Sequence, residues 1–244
     1  MNRRAALMSE TLTSKGVVDG VIQDDWETIN KIAKAGRAQE FYSIGNKKDI
    51  SVDGVSVNVV LVGFDHDTKT DGAKANTSWL STQEGVLDRY MPCVHDGSSN
   101  PRSVWNGGGS FIPIIFTEGL LARFPATLQE GIVQVRKGEQ GWTGTTPTTR
   151  TRSRKVWVPS LRELGISVES RGSEGDPYPF FSSGKKLSSQ TSYFWTRSLG
   201  TTSTVGSSSG WTYTAYTYVF RPSDLAYEEA LHASLHPVLF GFCL

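Results

Sequence analysis

The chain has 244 residues, with 25 Lys and Arg against 24 Asp and Glu, so its charge is nearly balanced. This length is enough to bury a hydrophobic core without covalent cross-links. The balanced charge excludes a basic surface for nucleic acid, and no apolar run is long enough to insert into a membrane.

Composition favours a loop-rich domain over a helical bundle, because Gly, Ser and Thr are abundant and seven Trp residues are available to fill a core. Two cysteines, Cys93 and Cys243, are too few and too far apart for the disulfide framework of a small secreted domain. The apolar run from Ala5 to Met8 is shorter than the core of an export signal. We therefore expect reduced thiols, synthesis in the cytoplasm and no signal peptide.

An amino-terminal arm, a helix and a hairpin are the first predicted elements. Residues 1–22 have mixed polarity and two glycines, which indicates an arm or attachment segment. The segment 24–36 begins with two Asp residues, places Trp, Ile and Ala at helical spacing and ends on Gly, so it predicts a short helix. Asp53-Gly54 separates the β-rich runs 49–52 and 55–63, which predicts a β-hairpin.

Two further helices are predicted in the middle of the chain. Residues 83–90 and 116–135 carry apolar side chains at helical spacing, and Pro125 is expected to break the second helix into two pieces. The segment 137–154 is rich in Gly, Thr and Arg and is predicted to be a surface loop.

A strand and a capped turn follow this loop. Residues 155–159 are typical of a strand. Ser160 and Glu163 have the spacing of a capping box, which predicts a short helix that ends at Gly165.

The last third of the chain is dominated by Ser, Thr, Tyr, Gly and Trp. Strands are predicted at 193–198 and 211–220, and the apolar segment 236–244 predicts a terminal strand in the middle of the sheet. Early helices followed by clustered strands favour an α+β fold.

Several short motifs stand in order between residues 23 and 244: Trp26-Glu27-Thr28-Ile29, Ala35-Gly36-Arg37-Ala38, Phe41-Tyr42-Ser43-Ile44-Gly45, Gly63-Phe64-Asp65-His66-Asp67, the run from Lys155 to Gly165, Trp195-Thr196-Arg197-Ser198 and Phe242-Cys243-Leu244. As an ordered set they resemble an uncharacterised domain family from prophage, tail-fibre and surface genes of Gram-positive gut bacteria. The resemblance implies a C-type-lectin-like α+β domain over 23–244, with short early helices and a mostly antiparallel, loop-rich β-sheet. It implies no characterised chemistry. The chain departs from the family pattern at Phe194, where a second Trp is common before the Arg-Ser.

The acidic segment from Asp65 to Gly72 is a candidate metal loop. Neither register of an EF-hand fits it, because Lys69 falls on a ligand position in both. The Glu-Pro-Asn calcium signature of sugar-binding C-type lectins is absent as well. Capped turns are the simpler interpretation and we expect no cofactor, although a divalent cation between Asp65 and Asp71 stays open.

Catalytic signals are weak. The segment 206–210 matches the Gly-x-Ser-x-Gly motif, but it lies in a low-complexity stretch before a strand. His232 and His236 are spaced as a helical pair, yet zinc needs at least one further ligand. An enzyme on the related formylglycine-generating scaffold would need a competent cysteine or a metal site, and only Cys93 and Cys243 are available. We therefore predict that the protein is not an enzyme.

The segment from Ser188 to Tyr218 has the composition of evolved recognition surfaces, in which Tyr and Trp supply contact area and Ser and Gly supply adaptable hydrogen bonds. The alternative is a β-sheet whose exposed face is simply rich in Thr and Tyr. Strand alternation allows only part of the set to be exposed. The candidate ligand-binding residues are Tyr193, Trp195, Arg197, Trp211, Tyr213, Tyr216 and Tyr218.

Together these observations predict a phage or phage-derived structural protein of the tail, baseplate or head surface. Its lectin-like domain would bind a host receptor, either a glycan or a protein, and the arm 1–22 would attach it to other virion proteins. The alternative is an architectural decoration or joining protein without a host ligand. We expect assembly in the host cytoplasm and residence in the virion, and a homo-oligomer stays open because nothing in the sequence counts subunits.

Overall fold

The computed structural model describes residues 12–82, 119–143, 146–167, 174–188, 191–207, 210–231 and 236–244. Over these residues the fold is mixed α/β, with few helices and mostly antiparallel sheets. The helices are α1 (Trp26–Lys34), α2 (Ala38–Phe41), α3 (Ala126–Gln129) and α4 (Pro179–Ser182). The strands are β1 (Val17–Val18), β2 (Val21–Ile22), β3 (Lys47–Val52), β4 (Val55–Phe64), β5 (Thr77–Ser81), β6 (Val135–Thr143), β7 (Thr146–Arg154), β8 (Val156–Trp157), β9 (Phe194–Ser207), β10 (Gly210–Phe220), β11 (Tyr227–Leu231) and β12 (Gly241–Cys243).

A seven-stranded sheet in the order β1-β2-β3-β4-β5-β12-β8 forms the centre of this arrangement. The carboxyl-terminal strand β12 lies between β5 and β8 and is antiparallel to both, which confirms the predicted terminal strand inside the sheet. A separate sheet has the order β11-β10-β9, and β6 pairs with β7 as a third.

From Val59 to Gly63 both faces of β4 are buried, which explains why this part of its sequence is continuously apolar rather than alternating. Val59 and Leu61 belong to the cluster that also holds α1. Val60 and Val62 belong to a second cluster, with Phe194 of the three-stranded sheet. The central sheet is therefore covered by helices on one side and by the later strands and turns on the other.

Helix α1 and the β3–β4 hairpin confirm the helix predicted at 24–36 and the hairpin predicted around Asp53-Gly54. Asp25 caps the helix by accepting a hydrogen bond from the Thr28 amide at 2.8 Å. In the hairpin, Asp53 and Gly54 have φ angles of 50° and 80°, the left-handed conformation that a two-residue turn of this type needs at both positions.

The described part of the amino-terminal arm is joined to the main sheet. Strands β1 and β2 form an antiparallel ribbon, and β2 runs parallel to β3. Ile22 is buried, and the Asp24 carboxylate accepts hydrogen bonds from the Ser14 hydroxyl at 2.5 Å and the Lys15 amide at 2.6 Å. No structural break therefore separates residues 12–22 from the residues that follow, while residues 1–11 lie outside the described part.

One prediction for the middle of the chain is confirmed in part and another was wrong. Within the described residues of the proposed helix over 116–135, helical residues 119–121 and α3 lie on either side of Pro125, as expected, but α3 ends at Gln129 and Val135 begins a strand. The proposed surface loop at 137–154 is the β6–β7 hairpin. Composition is misleading here because Lys137 and Glu139 point inward and are buried. The predicted helix at 83–90 lies outside the described residues.

In the part of the chain that the structure describes, no helix is both long and apolar enough to span a membrane.

Candidate functional site

The three-stranded sheet is attached to the rest of the fold at the start of β9. The Trp195 amide donates to the Pro237 carbonyl at 2.9 Å, and the Arg197 amide donates to the Pro159 carbonyl at 3.1 Å. Phe194 packs with Phe220 on one face of the sheet, whereas Trp195 packs with residues that include Val219 on the other. These contacts fix the base of the long β9–β10 hairpin.

Arg197 is buried at this attachment, with only 4% of its surface exposed. Its Nε donates to the Gly138 carbonyl at 2.9 Å, and its Nη1 donates to the Val158 carbonyl at 2.8 Å and to Glu163 Oε2 at 2.5 Å. Its Nη2 donates to the Glu174 carbonyl. One guanidinium therefore joins β9 to β6, to the segment after β8 and to the segment that leads into α4.

Glu163 is held in place by the predicted capping box. The Glu163 amide donates to the Ser160 hydroxyl at 3.1 Å, and the Ser160 amide donates to Glu163 Oε2 at 3.1 Å. The hydrogen-bond pattern of this prediction is confirmed, although residues 161–165 form a turn rather than a helix. The capped turn directs the carboxylate inward, toward Arg197 and Lys137.

Lys137 is 1% exposed and uses all three of its ammonium hydrogens. Its Nζ lies 2.5 Å from Asp67 Oδ1, 2.8 Å from Glu163 Oε1 and 2.8 Å from the Tyr178 hydroxyl. The same nitrogen lies 3.9 Å from the centre of the Trp157 ring, in a cation–π contact.

Asp67 completes the cluster on the side of the carboxyl terminus. Its Oδ2 accepts hydrogen bonds from the Ser78 hydroxyl at 2.7 Å, the Tyr178 hydroxyl at 3.0 Å and the Cys243 thiol at 3.3 Å. We call Asp67, Lys137, Glu163, Tyr178 and Arg197 the buried charge network.

The network keeps its acidic and basic groups ionised against the cost of burial. Burial raises the pKa of Asp67, but the Lys137 charge and hydrogen bonds from neighbouring side chains outweigh it, so the pKa lies well below its usual value. Burial likewise opposes ionisation of Glu163, yet Arg197 and Lys137 lower its pKa. Burial lowers the pKa of Lys137, and Asp67 and Glu163 more than offset this. The two negative charges of Asp67 and Glu163 and the two positive charges of Lys137 and Arg197 therefore neutralise one another inside the fold.

Trp195 and Arg197 must be removed from the predicted ligand-binding set. Trp195 is 0% exposed and packs in the core, and Arg197 is consumed by the buried charge network, so neither side chain reaches a surface ligand. Residues 194–198 are all buried, so both faces of β9 lie inside the protein where the sheet joins its body.

Two other candidate residues are partly exposed. The Tyr193 ring is half-buried beneath the Arg221 guanidinium, whose central carbon lies 5.5 Å from the ring centre. The Tyr218 ring makes an edge contact with Tyr227, at 5.7 Å between centres. Tyr227, which the sequence did not single out, is 43% exposed. The side chains of the remaining candidates, Trp211, Tyr213 and Tyr216, lie outside the described part.

The carboxylates of the acidic loop are bound to donors of the protein itself. Asp67 binds Lys137, and Asp65 accepts a hydrogen bond from the side-chain amide of Gln39 at 3.0 Å. Asp71 accepts a hydrogen bond from the backbone amide of Ala73 at 2.9 Å. Among the residues that the structure describes, no group of three or more His, Cys, Asp or Glu side chains is placed to hold a metal.

Of the two cysteines, Cys243 lies in the described part and is buried. Burial and the nearby Asp67 carboxylate raise the pKa of its thiol well above the usual value, which keeps it protonated and weakly nucleophilic. His232, Cys93 and part of the Gly-x-Ser-x-Gly segment lie outside the described residues.

Sequence reasoning missed the network as a unit, although the motifs of the resemblance contain most of it. Asp67, Glu163 and Arg197 each stand in one of those motifs, which are far apart in the sequence, and so does Cys243, whose thiol donates to Asp67. Tyr178 and Lys137 stand in none of them, and Lys137 lies in a segment whose composition predicts a loop. Only the fold brings the five groups together.

No protein-family model, curated protein or solved structure matches the chain.

Replacing Arg197 with Met is expected to lower the free energy of unfolding by about 3–5 kcal/mol, because Glu163 and several backbone carbonyls lose a buried donor. Urea unfolding followed by Trp fluorescence measures the change. The matched control is Arg221→Met, which removes a solvent-screened pair with Asp224 and should change the free energy of unfolding far less. Equal effects of the two variants would contradict a structural role for Arg197.

Acid should destabilise the protein through Glu163. Its folded-state pKa is lowered, so its contribution is present above the unfolded-state value, near 4.5, and is lost as pH falls below it. Urea midpoints measured from pH 7 down to pH 3 should therefore fall less steeply in Glu163→Gln than in the wild type. Glu40→Gln, at an exposed pair with Arg37, should keep the wild-type slope. A slope in Glu163→Gln as steep as that of the wild type would disprove this origin.

Proposed function

We propose that the chain is a non-enzymatic recognition domain of a phage or phage-derived particle, with a C-type-lectin-like fold. It would belong to a tail, baseplate or head surface and bind a host glycan or protein. The observation that supports this most is the long β9–β10 hairpin, whose base is locked to the buried charge network while its distal part carries a recognition-type sequence.

The hairpin is long and is fixed at its base, as an element that displays a binding surface needs to be. Strands β9 and β10 contain 14 and 11 residues, and their pairing continues to Ser207 and Gly210. Trp195 and Arg197 hold its first residues inside the core. A surface placed on an element that is fixed at its base loses less conformational entropy when it binds than one on a free loop.

The sequence beyond this base supports recognition rather than packing. Residues 199–217 contain Thr, Ser and Gly together with Trp211, Tyr213 and Tyr216. Large, rigid aromatic side chains among small polar ones are the composition of binding loops that face varied ligands. The partly exposed Tyr218 and Tyr227 continue this aromatic character on the described side of the sheet.

The buried charge network supports a role of the ionisable groups inside the fold rather than catalysis on an external substrate. Its five side chains are each no more than 6% exposed, and their charges are directed at one another. A catalytic group must reach its substrate within hydrogen-bond distance.

An architectural role without a host ligand is the second candidate, and the β1–β2 edge of the seven-stranded sheet favours it. Val18 and Val21 are 56% and 37% exposed on the β1–β2 ribbon, at the edge of the seven-stranded sheet. An exposed apolar edge of this kind can pair with another chain. Attachment to other virion proteins through residues 1–22 would use this edge in either case.

Binding to intact cells tests the leading proposal. Labelled wild-type protein is titrated onto a panel of Gram-positive gut bacteria, beside a variant that combines Trp211→Ala and Tyr213→Ala. We expect saturable binding by the wild type and at least a tenfold loss in the variant, because removing two interfacial aromatics typically costs more than about 1.4 kcal/mol.

The matched control for this experiment combines Thr151→Ala and Ser153→Ala, two exposed positions on β7 of the other hairpin. It should bind as the wild type does, and circular dichroism should show all three proteins folded. Unchanged binding by the aromatic variant would exclude the β9–β10 hairpin as the contact. Absence of wild-type binding across the panel would overturn the receptor role in favour of the architectural one.

A further inference from the structure

Lys137, Asp67 and Glu163 form a group that is arranged for chemistry as well as for charge neutralisation. The amine nitrogen of Lys137 lies 2.5 Å from one carboxylate oxygen of Asp67 and 2.8 Å from one of Glu163. The side chains are at most 6% exposed, and the Trp157 ring covers the amine at 3.9 Å. A nucleophile, an acyl carbon and a proton acceptor are thus held together away from water.

We propose that Lys137 and Asp67 join through an intramolecular amide bond, with Glu163 carrying protons between them. The bond that forms links Lys137 Nζ to Asp67 Cγ, and the bond that breaks joins Cγ to Oδ1. The ammonium group starts with three hydrogens: one stays on the amide, and two leave with Oδ1 as a water molecule. No oxidant, reductant or further reactant takes part.

Glu163 is placed to act as the proton carrier. Its Oε1 contacts the ammonium, while its Oε2 is occupied by Arg197 and the Ser160 amide. Arg197 helps to keep the carboxylate ionised, so it is ready to accept a proton from Lys137 and expose the amine lone pair. That proton passes to Oδ1, and after the amine has added to Cγ Glu163 carries a second proton from the nitrogen to the same oxygen, which leaves as water. Glu163 ends the reaction as it began.

The second oxygen of Asp67 is surrounded by donors that suit the intermediate. When the amine adds to Cγ, negative charge develops on Oδ2. The Ser78 hydroxyl at 2.7 Å, the Tyr178 hydroxyl at 3.0 Å and the Cys243 thiol at 3.3 Å all donate to this oxygen. Preorganised donors at the atom that gains charge are the usual source of rate enhancement in acyl transfer.

Burial also favours the product. The amide carries no charge, whereas the two ions that it replaces are held in surroundings of low polarity, where a charge is costly. Because the fold holds the two groups in contact, the reaction is intramolecular, and the entropy cost of bringing two reactants together is already met on folding. The water that is released leaves a site that excludes solvent, so the reverse hydrolysis is disfavoured.

The bond would close a covalent loop between positions 67 and 137, around the segment that contains residues 83–118. The backbone on both sides is already paired, since the Arg136 amide donates to the Thr68 carbonyl at 2.8 Å and Lys69 bridges Val135. A cross-link here would keep strands β4, β5 and β6 together even after cleavage within that loop.

Intact-mass spectrometry of the purified, denatured full chain tests the proposal. The wild type should be lighter than its sequence mass by one water, and peptide mapping should place the loss on a cross-linked pair of peptides that contain Lys137 and Asp67. Lys137→Met should show its full sequence mass. Asp67→Asn should be lighter by one ammonia instead, because an amide side chain releases ammonia in the same reaction.

Glu163→Gln separates the proton carrier from a simple packing role, since it keeps the shape of the side chain but cannot accept the proton. It should remain unlinked, or link at least tenfold more slowly than the wild type, while Glu40→Gln, at the exposed pair with Arg37, should link as the wild type does. A folded wild-type protein at full sequence mass would overturn the proposal. A lost water that maps to any other pair of residues would overturn it equally.

Discussion

The structure depends on the neutralisation of charges that are buried together. Lys137 is enclosed between Asp67 and Glu163, and Glu163 in turn binds Arg197. An unpaired charge at any of these positions would cost several kcal/mol, so each is tolerated only because its partners are in place. The partners come from the loop after β4, from β6, from the capped turn after β8 and from β9. Satisfying the charges therefore requires all of these segments to be positioned at once.

This constraint links stability to the proposed function. The same guanidinium that neutralises Glu163 also anchors the first residues of the β9–β10 hairpin. The segment with a recognition-type composition can then vary in sequence without disturbing the core, because its attachment uses residues at the base of the sheet. The proposed recognition role would benefit from such a separation between a fixed interior and the surface that binds.

Local signals in the sequence predicted much of the fold, because they depend on neighbouring residues. The capped helix, the Asp53-Gly54 turn and the Ser160–Glu163 capping box are all present. The β6–β7 hairpin was missed because its inward positions carry Lys137 and Glu139, and composition treats charged residues as exposed. Trp195 and Arg197 were misplaced for a related reason: their types suit a binding face, but only tertiary packing shows which face of a strand is buried.

Native-state hydrogen exchange tests most directly whether the buried charge network belongs to the last part of the protein to open. The amides to follow are those of Tyr178, Trp195 and Arg197, which donate to carbonyls beside the network, compared with the Arg221 amide in the exposed turn before β11. We expect the first three to exchange only through global unfolding, with the free energy obtained from urea, and Arg221 to exchange through local opening. Exchange of the network amides at a free energy several kcal/mol below the global value would contradict the account.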